Sequence, residues 1–243
     1  MLPILYQSHD LLIYTYPLVM GIAWGVGYQV FFNYLGDAFS RLQAQLLFWG
    51  IFIFSWIGAK LFFLYSIELP KELLIDANFW LGGGLVFYGG LIGGLLYLVL
   101  FKFINRSIEL KFMWPLLPAL SIGHGIGRLG CFLAGCCYGE KTDWHWGIFQ
   151  HGEYRHPTQL IEAGFLFLFS FYALRICTDK KYLFIHYFIA YGLLRMFLET
   201  LRGDAVRGVW GGFSPSTWVS LVLVLIGFLL YVANNIKYLK KSP

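Results

Sequence analysis

The sequence contains few charged residues and no obvious linker. Asp, Glu, Lys and Arg make up 13% of its 243 residues, whereas a soluble domain carries about a quarter. Hydrophobic residues make up 58% of the chain, more apolar surface than a water-soluble fold could bury. Because no Ser- or Pro-rich stretch divides the chain, we expect one domain over residues 1–243. The composition predicts an all-α integral membrane protein.

Basic residues are absent ahead of the first apolar run. The N-terminus therefore lacks the charged region of a cleavable signal peptide, and we expect the first span to be retained. A membrane-spanning helix needs about 20 largely apolar residues. Seven windows meet this requirement: 11–34, 44–66, 81–101, 112–134, 159–177, 182–201 and 216–235.

Lys and Arg are distributed unequally between alternate loops, with ten in one set and five in the other. Basic loops tend to stay in the cytoplasm, so this bias predicts a cytoplasmic C-terminus and an external N-terminus. The net charge of +5 fits contact with anionic lipid at the inner face. We therefore expect the membrane itself, and no nucleic acid, as a partner.

Beyond the residues of the loop count, five charged residues fall within or at the ends of the windows, where a charge costs a few kcal/mol and marks a candidate site: Lys60, Arg128, Glu162, Arg195 and Glu199. Tyr191, Arg195, Glu199 and Arg202 lie three or four residues apart, which places them on one helix face. This face is either a structural salt-bridge ladder or, through its surplus guanidinium, a phosphate site.

Three further segments combine glycine or proline with polar residues. Residues 121–139 contain six glycines around His124 and Arg128, which indicates close helix packing or a helix broken around a ligand. Residues 87–94 are also glycine-rich, and helix packing is the simpler interpretation there. Residues 155–162 enter the fifth window through Pro157, either as a helix cap or with Gln159 and Glu162 facing a site.

Together these segments resemble the prolipoprotein diacylglyceryl transferase family. The matching segments are YGGLIG at 88–93, GRLGCF at 127–132, RHPTQLIE at 155–162, and Tyr-Gly at 191–192 followed by the Arg-Glu-Arg series. They follow the family's order between Tyr16 and Arg202, and the run GRLGCFLAGCCYG is typical of a cysteine-rich branch. The resemblance implies a multi-pass enzyme of the bacterial cytoplasmic (inner) membrane.

The resemblance also implies a reaction, in which diacylglyceryl moves from phosphatidylglycerol to the lipobox cysteine of a prolipoprotein and glycerol 1-phosphate leaves. It implies no cofactor. Arg128 and Arg195 would stabilise the charge on the phosphate, while His124 and Tyr88 are the candidates for proton transfer. The implied substrate-binding residues are Tyr16, Gly89, Gly90, Cys131, Gly139, His156, Gln159, Glu162, Glu199 and Arg202.

Three positions differ from the family pattern. Tyr88 replaces a histidine that the family is thought to use in catalysis, Cys131 replaces an asparagine, and Cys136 replaces a polar residue that is often glutamate. A phenol is protonated at neutral pH and is a poor base. His124 is therefore the candidate substitute base, unless it is structural.

The cysteines leave a second functional class open. Cys131, Cys136 and Cys137 should lie near the outer face, where thiols can oxidise. Their spacing matches no standard zinc motif, so we expect no metal. The chain is either a transferase, acting on prolipoprotein or on another acceptor, or a non-catalytic or redox lipid-binding protein. In the first case the outer loop at 141–155, with Trp144 and Trp146, is where the acceptor should dock.

Overall fold

The computed structural model describes residues 2–7, 12–66, 75, 86–203 and 211–239. They belong to two compact units, one comprising Met1–Tyr34 and Met113–Pro243 and the other comprising Leu35–Phe112. A helix lies in each of the seven predicted windows: α1 (Thr15–Tyr34), α2 (Arg41–Ser66), α3 (Phe87–Ile104), α4 (Leu116–Ala134), α5 (Thr158–Phe171), α6 (Leu183–Thr200) and α7 (Pro215–Leu239).

Four helical stretches of the described residues are long and apolar enough to cross a membrane: Arg41–Tyr65, Lys111–Ala134, Thr158–Ile176 and Pro215–Ile236. Tyr88–Ile104 is apolar but shorter. The helices α1 and α6 fall outside this set because polar residues interrupt them, Gln29 and Asn33 in α1 and the Arg-Glu pair in α6. The chain is thus an all-α protein with membrane-spanning helices.

The first window extends too far toward the N-terminus. Residues 12–14 form strand β2 (Leu12–Tyr14), which pairs antiparallel with β1 (Ile4–Gln7) and leaves α1 to begin at Thr15. An apolar run cannot distinguish a short strand from the start of a helix. Residue 11, residues 81–85 of the third window, and Lys71, Arg207, Lys240 and Lys241 of the charge count lie outside the described residues.

In the unit formed by the two chain ends, glycines bring α1 and α4 together. A β-carbon at Gly123 would lie 3.1 Å from the carbonyl oxygen of Ala23, and one at Gly27 would lie 3.2 Å from that of Ala119. The other side of α4 packs on α5, and α6 packs on α7. The core of this unit is built from the buried residues Leu117, Leu166, Phe169, Ala173, Cys177, Leu183, Tyr187 and Tyr191.

One end of this unit carries a folded loop between α4 and α5. Helix α4 ends where Gly135 adopts φ +75°, a left-handed conformation that glycine tolerates without strain. The loop then forms a hairpin of β3 (Ile148–Gln150) and β4 (Glu153–Arg155), in which Ile148 pairs with Arg155. The loop therefore returns to the N-terminus of α5 at the same end of the unit.

The other unit contains α2 and α3 packed in close contact. A β-carbon at Gly89 would overlap the carbonyl oxygen of Gly58, and one at Gly93 would overlap that of Phe54. The Tyr97 hydroxyl donates a hydrogen bond to the Leu46 carbonyl at 2.7 Å. Lys60, a charged residue that the sequence placed within a span, is fully buried in α2.

Candidate active site

Glu162 is the centre of a buried charge network in the unit formed by the chain ends. Glu162 lies in the second turn of α5, the helix that follows Pro157, and is 1% exposed. One carboxylate oxygen accepts a hydrogen bond from the Tyr191 hydroxyl at 2.9 Å and forms an ion pair with Arg128 Nη2 at 3.0 Å. The other oxygen accepts a hydrogen bond from Arg195 Nη1 at 3.1 Å. Two guanidinium groups and a phenol thus hold one carboxylate.

The ladder predicted on α6 forms and continues this network. Arg195 Nη2 lies 2.8 Å from Glu199 and 3.3 Å from the Ser216 hydroxyl at the start of α7. Arg202 Nη1 lies 3.9 Å from the same Glu199 oxygen. Three guanidinium groups therefore share two carboxylates, so this group of described side chains carries one positive charge in excess.

Arg128 has a buried nitrogen that the described residues leave without a hydrogen-bond partner. Its Nη2 binds Glu162, but its Nε finds no acceptor there. Buried N–H groups are nearly always paired, so an orphaned one calls for an explanation. A guanidinium carries donors on more than one side, and Arg128 can bind Glu162 with one side while it offers Nε to an anionic ligand.

His124 lies one helical turn before Arg128 and faces the same network. Its Nε2 is 3.7 Å from Glu162 Oε1, and its ring meets the Tyr191 ring edge-on with 5.7 Å between centroids. The side chain is 17% exposed. The predicted placement of His124 and Arg128 on one face of α4 is confirmed, and Glu162 is the group that they share.

Backbone contacts bring together three more of the predicted site residues, Gly139, His156 and Arg202. A β-carbon at Gly139 would overlap the His156 carbonyl oxygen, so only glycine fits there. Gly139 also forms an isolated bridge with Arg202, and Gly203 N donates to the Tyr138 carbonyl at 3.2 Å. The segment after α4 thus ties the end of α6 to the start of α5.

Gln159, Tyr16 and Cys131 are placed beside this segment. Gln159 Nε2 donates to the Cys136 carbonyl at 2.8 Å and to Gln150 Oε1 at 3.3 Å, while its Oε1 has no partner among the described residues. A β-carbon at Gly130 would lie 3.4 Å from the Tyr16 ring. Cys131 is buried in the last turns of α4.

Tyr88, Gly89 and Gly90 lie in the first turn of α3, in the other compact unit. Gly89 and Gly90 pack against α2, and a β-carbon at Gly90 would lie 3.3 Å from the Ser55 carbonyl oxygen. This contact agrees with the packing interpretation of residues 87–94. Their assignment as site residues stays a prediction.

Sequence reasoning missed two residues of the network. Ser216 binds Arg195, and Gln150 binds Gln159. Neither carries a charge or belongs to a recognisable spacing, so no local signal marks them. Ser216 is 21 residues from Arg195 and Gln150 is nine from Gln159, so helical spacing relates neither pair and only the tertiary fold brings the partners together.

The loop between α4 and α5 exposes large aromatic side chains. Trp144 and Trp146 stack with ring centroids 5.3 Å apart and are 58% and 63% exposed. Trp144 also meets the His156 ring edge-on at 5.3 Å. Phe149 and Tyr154 extend this exposed surface along the hairpin. The aromatic surface is therefore connected to the segment that carries Gly139 and His156.

The sequence was compared with known proteins. The family model described as prolipoprotein diacylglyceryl transferase matches residues 3–233. A phosphatidylglycerol–prolipoprotein diacylglyceryl transferase of Clostridium tetani is 35% identical over 72% of this chain and 74% of its own length. A second from Clostridium perfringens is 34% identical over 76% and 77%, respectively. A third from Finegoldia magna is 29% identical over 96% and 93%.

Proposed function

The chain belongs to the prolipoprotein diacylglyceryl transferase family, and we propose that it transfers diacylglyceryl from phosphatidylglycerol to the lipobox cysteine thiol of a prolipoprotein. The main support for this proposal is the match of the family model to residues 3–233. The network around Glu162 supports it, because residues from three of the four family segments meet there. A scaffold without chemistry has little reason to keep this excess charge among apolar helices.

The reaction is a nucleophilic displacement. The thiolate sulfur attacks the carbon of the diacylglyceryl unit that is bonded to the phosphate oxygen, a C–S bond forms, and that C–O bond breaks. Its electron pair leaves with glycerol 1-phosphate, so negative charge grows on the phosphate in the transition state. A preorganised cation at that point lowers the barrier, and removal of one such donor typically costs about 100- to 1,000-fold in rate.

We assign the phosphate contact to Arg128. Its Nε lacks a partner among the described residues, whereas both terminal nitrogens of Arg195 already bind Glu162, Glu199 or Ser216. Arg195 then acts as a positioning residue, which holds the Glu162 carboxylate that orients Arg128. His124 takes the thiol proton, directly or through one water, and Tyr88 remains the second candidate for that proton transfer.

We further propose that residues 1–243 act as one domain with seven spans, an external N-terminus and a location in the bacterial inner membrane. The charge bias between alternate loops supports this orientation. In this orientation the network and the exposed aromatic loop lie on the outer side, where Trp144 and Trp146 would lie at the lipid interface. The prolipoprotein would dock on this loop beside His156.

The test is transfer of labelled diacylglyceryl from phosphatidylglycerol to a lipobox peptide by the purified full-length chain. Wild type should turn over, Arg128→Ala should lose at least about 100-fold in rate, and Gly164→Ala should match wild type. Gly164 is the matched control because a β-carbon there has no neighbour within 4 Å. A wild type that binds phosphatidylglycerol but does not modify the peptide would contradict the proposed acceptor.

A further inference from the structure

Three cysteine thiols meet at the end of α4, outside the chemistry proposed above. The Sγ atoms of Cys131, Cys136 and Cys137 all lie within 4.8 Å of one another, and none of these cysteines forms a disulfide. Cys131 is buried, Cys137 is half-buried and Cys136 is exposed. The group thus has one side open to solvent and one side within the protein.

The fold brings these thiols together although their spacing matches no zinc motif. Gly135 adopts its left-handed conformation, and Cys136 N then donates to the Cys131 carbonyl at 3.0 Å. The chain folds back over the last turn of α4, so residues five apart become neighbours. Cys137 itself has φ +61°, a conformation that costs a non-glycine residue energy and points to a specific local requirement.

The backbone that carries the thiols is held in place from outside. The Cys136 carbonyl accepts a hydrogen bond from Gln159 Nε2 at 2.8 Å, and the Cys137 carbonyl accepts one from the Thr158 hydroxyl at 3.0 Å. Both donors belong to the first turn of α5. The positions of the thiols are therefore preorganised, and only side-chain rotations are needed to bring them onto one ion.

The spacing of the thiols is compatible with metal coordination. Metal–thiolate bonds of about 2.3 Å place the sulfurs of a three-coordinate, trigonal ion about 4 Å apart, so adjustments of less than about 1 Å would complete the site. Structural zinc takes four protein ligands, whereas this group of described residues offers three thiols and no histidine or carboxylate. A site of thiolates alone favours a soft ion. We propose that Cys131, Cys136 and Cys137 form a three-thiolate site for Cu(I).

The experiment is anaerobic titration of the purified full-length chain with Cu(I) against a chromophoric Cu(I) chelator. Wild type should bind one ion per chain. Cys136→Ser should weaken binding by about 100-fold or more, because even the loss of a residue that only hydrogen-bonds a metal ligand costs up to about 100-fold in affinity. Cys177→Ser is the matched control, since that thiol lies at the far end of the helices and interacts with the Asp179 carbonyl. It should bind as wild type does.

X-ray absorption at the copper edge of the wild-type complex provides a measurement that needs no variant. We expect a first coordination shell of sulfur only. Equal binding by wild type and Cys136→Ser, or nitrogen and oxygen ligands alone, would overturn the proposal. An anaerobically purified chain with the mass of a disulfide would overturn it too, because the thiols would then form a redox pair.

Discussion

The two glycine-rich helices, α3 in one unit and α4 in the other, use their glycines to similar ends but carry different residues beside them. On α3, Gly89 and Gly93 put the backbone against α2. On α4, Gly123 does the same toward α1, Gly127 faces the Met20 side chain of α1, and His124 and Arg128 turn toward Glu162. Glycine thus sets how closely a neighbouring helix approaches, and the polar residues on the adjacent face decide whether a site forms.

The largest expected effect is that of removing the carboxylate at the centre of the network. Glu162→Ala leaves Arg128 and Arg195 without their shared partner, and breaking a buried ion pair in this way costs about 3–5 kcal/mol. We expect loss of transfer activity together with a lower free energy of unfolding in mixed micelles. A variant as stable as wild type would show that solvent or lipid already compensates the two guanidinium groups.

A smaller effect is expected when Arg128 is replaced by a residue of the same charge but different shape. A lysine ammonium has three donors, but all lie on one atom, so they cannot reach the separate positions of Arg128 Nη2 and Nε. Arg128→Lys should therefore reduce the rate of transfer by about 100-fold with little change in stability. A rate within a few-fold of wild type would mean that only the charge at this position matters.

The packing role of α3 predicts a loss of stability. A β-carbon at Gly93 would overlap the Phe54 carbonyl oxygen, so Gly93→Ala must push α2 and α3 apart, and overpacking of this kind costs about 1–3 kcal/mol. Gly164→Ala is the control, since α5 has open space there. Equal thermal stability of the two variants would contradict a close contact between α2 and α3.

The smallest effect is expected at the exposed ion pair of the loop between α4 and α5. Lys141 Nζ lies 2.6 Å from Glu153, with side chains 65% and 47% exposed. The hydrogen bond and charge of Lys141 lower the pKa of the Glu153 carboxyl, so the pair is intact at neutral pH and is lost as the pH falls through that lowered value. Glu153→Gln should keep turnover within about twofold at neutral pH; a large loss there would give this pair a role in acceptor binding.

Contacts between side chains spaced three or four residues apart along the chain could be predicted from the sequence. Arg195 and Glu199 share a face of α6 because of helical spacing, and Arg202, two residues past the end of that helix, still approaches Glu199. The central role of Glu162 could not be predicted, because its partners come from α4 and α6. The sequence marked Cys131, Cys136 and Cys137 as redox candidates, but it could not predict that all three thiols lie within 4.8 Å of one another, since the turn at Gly135 changes which residues are neighbours.

The central claim is that Arg128 Nε contacts the phosphate of the lipid, and a solid-state NMR distance measurement tests it most directly. The protein would be reconstituted with phosphatidylglycerol, with ¹⁵N in arginine, and the ¹⁵N–³¹P dipolar coupling recorded. We predict a coupling to Arg128 Nε corresponding to about 4 Å, as expected for an N–H donor bound to a phosphate oxygen, and its loss in Arg128→Lys. A coupling that survives unchanged in that variant would contradict the account.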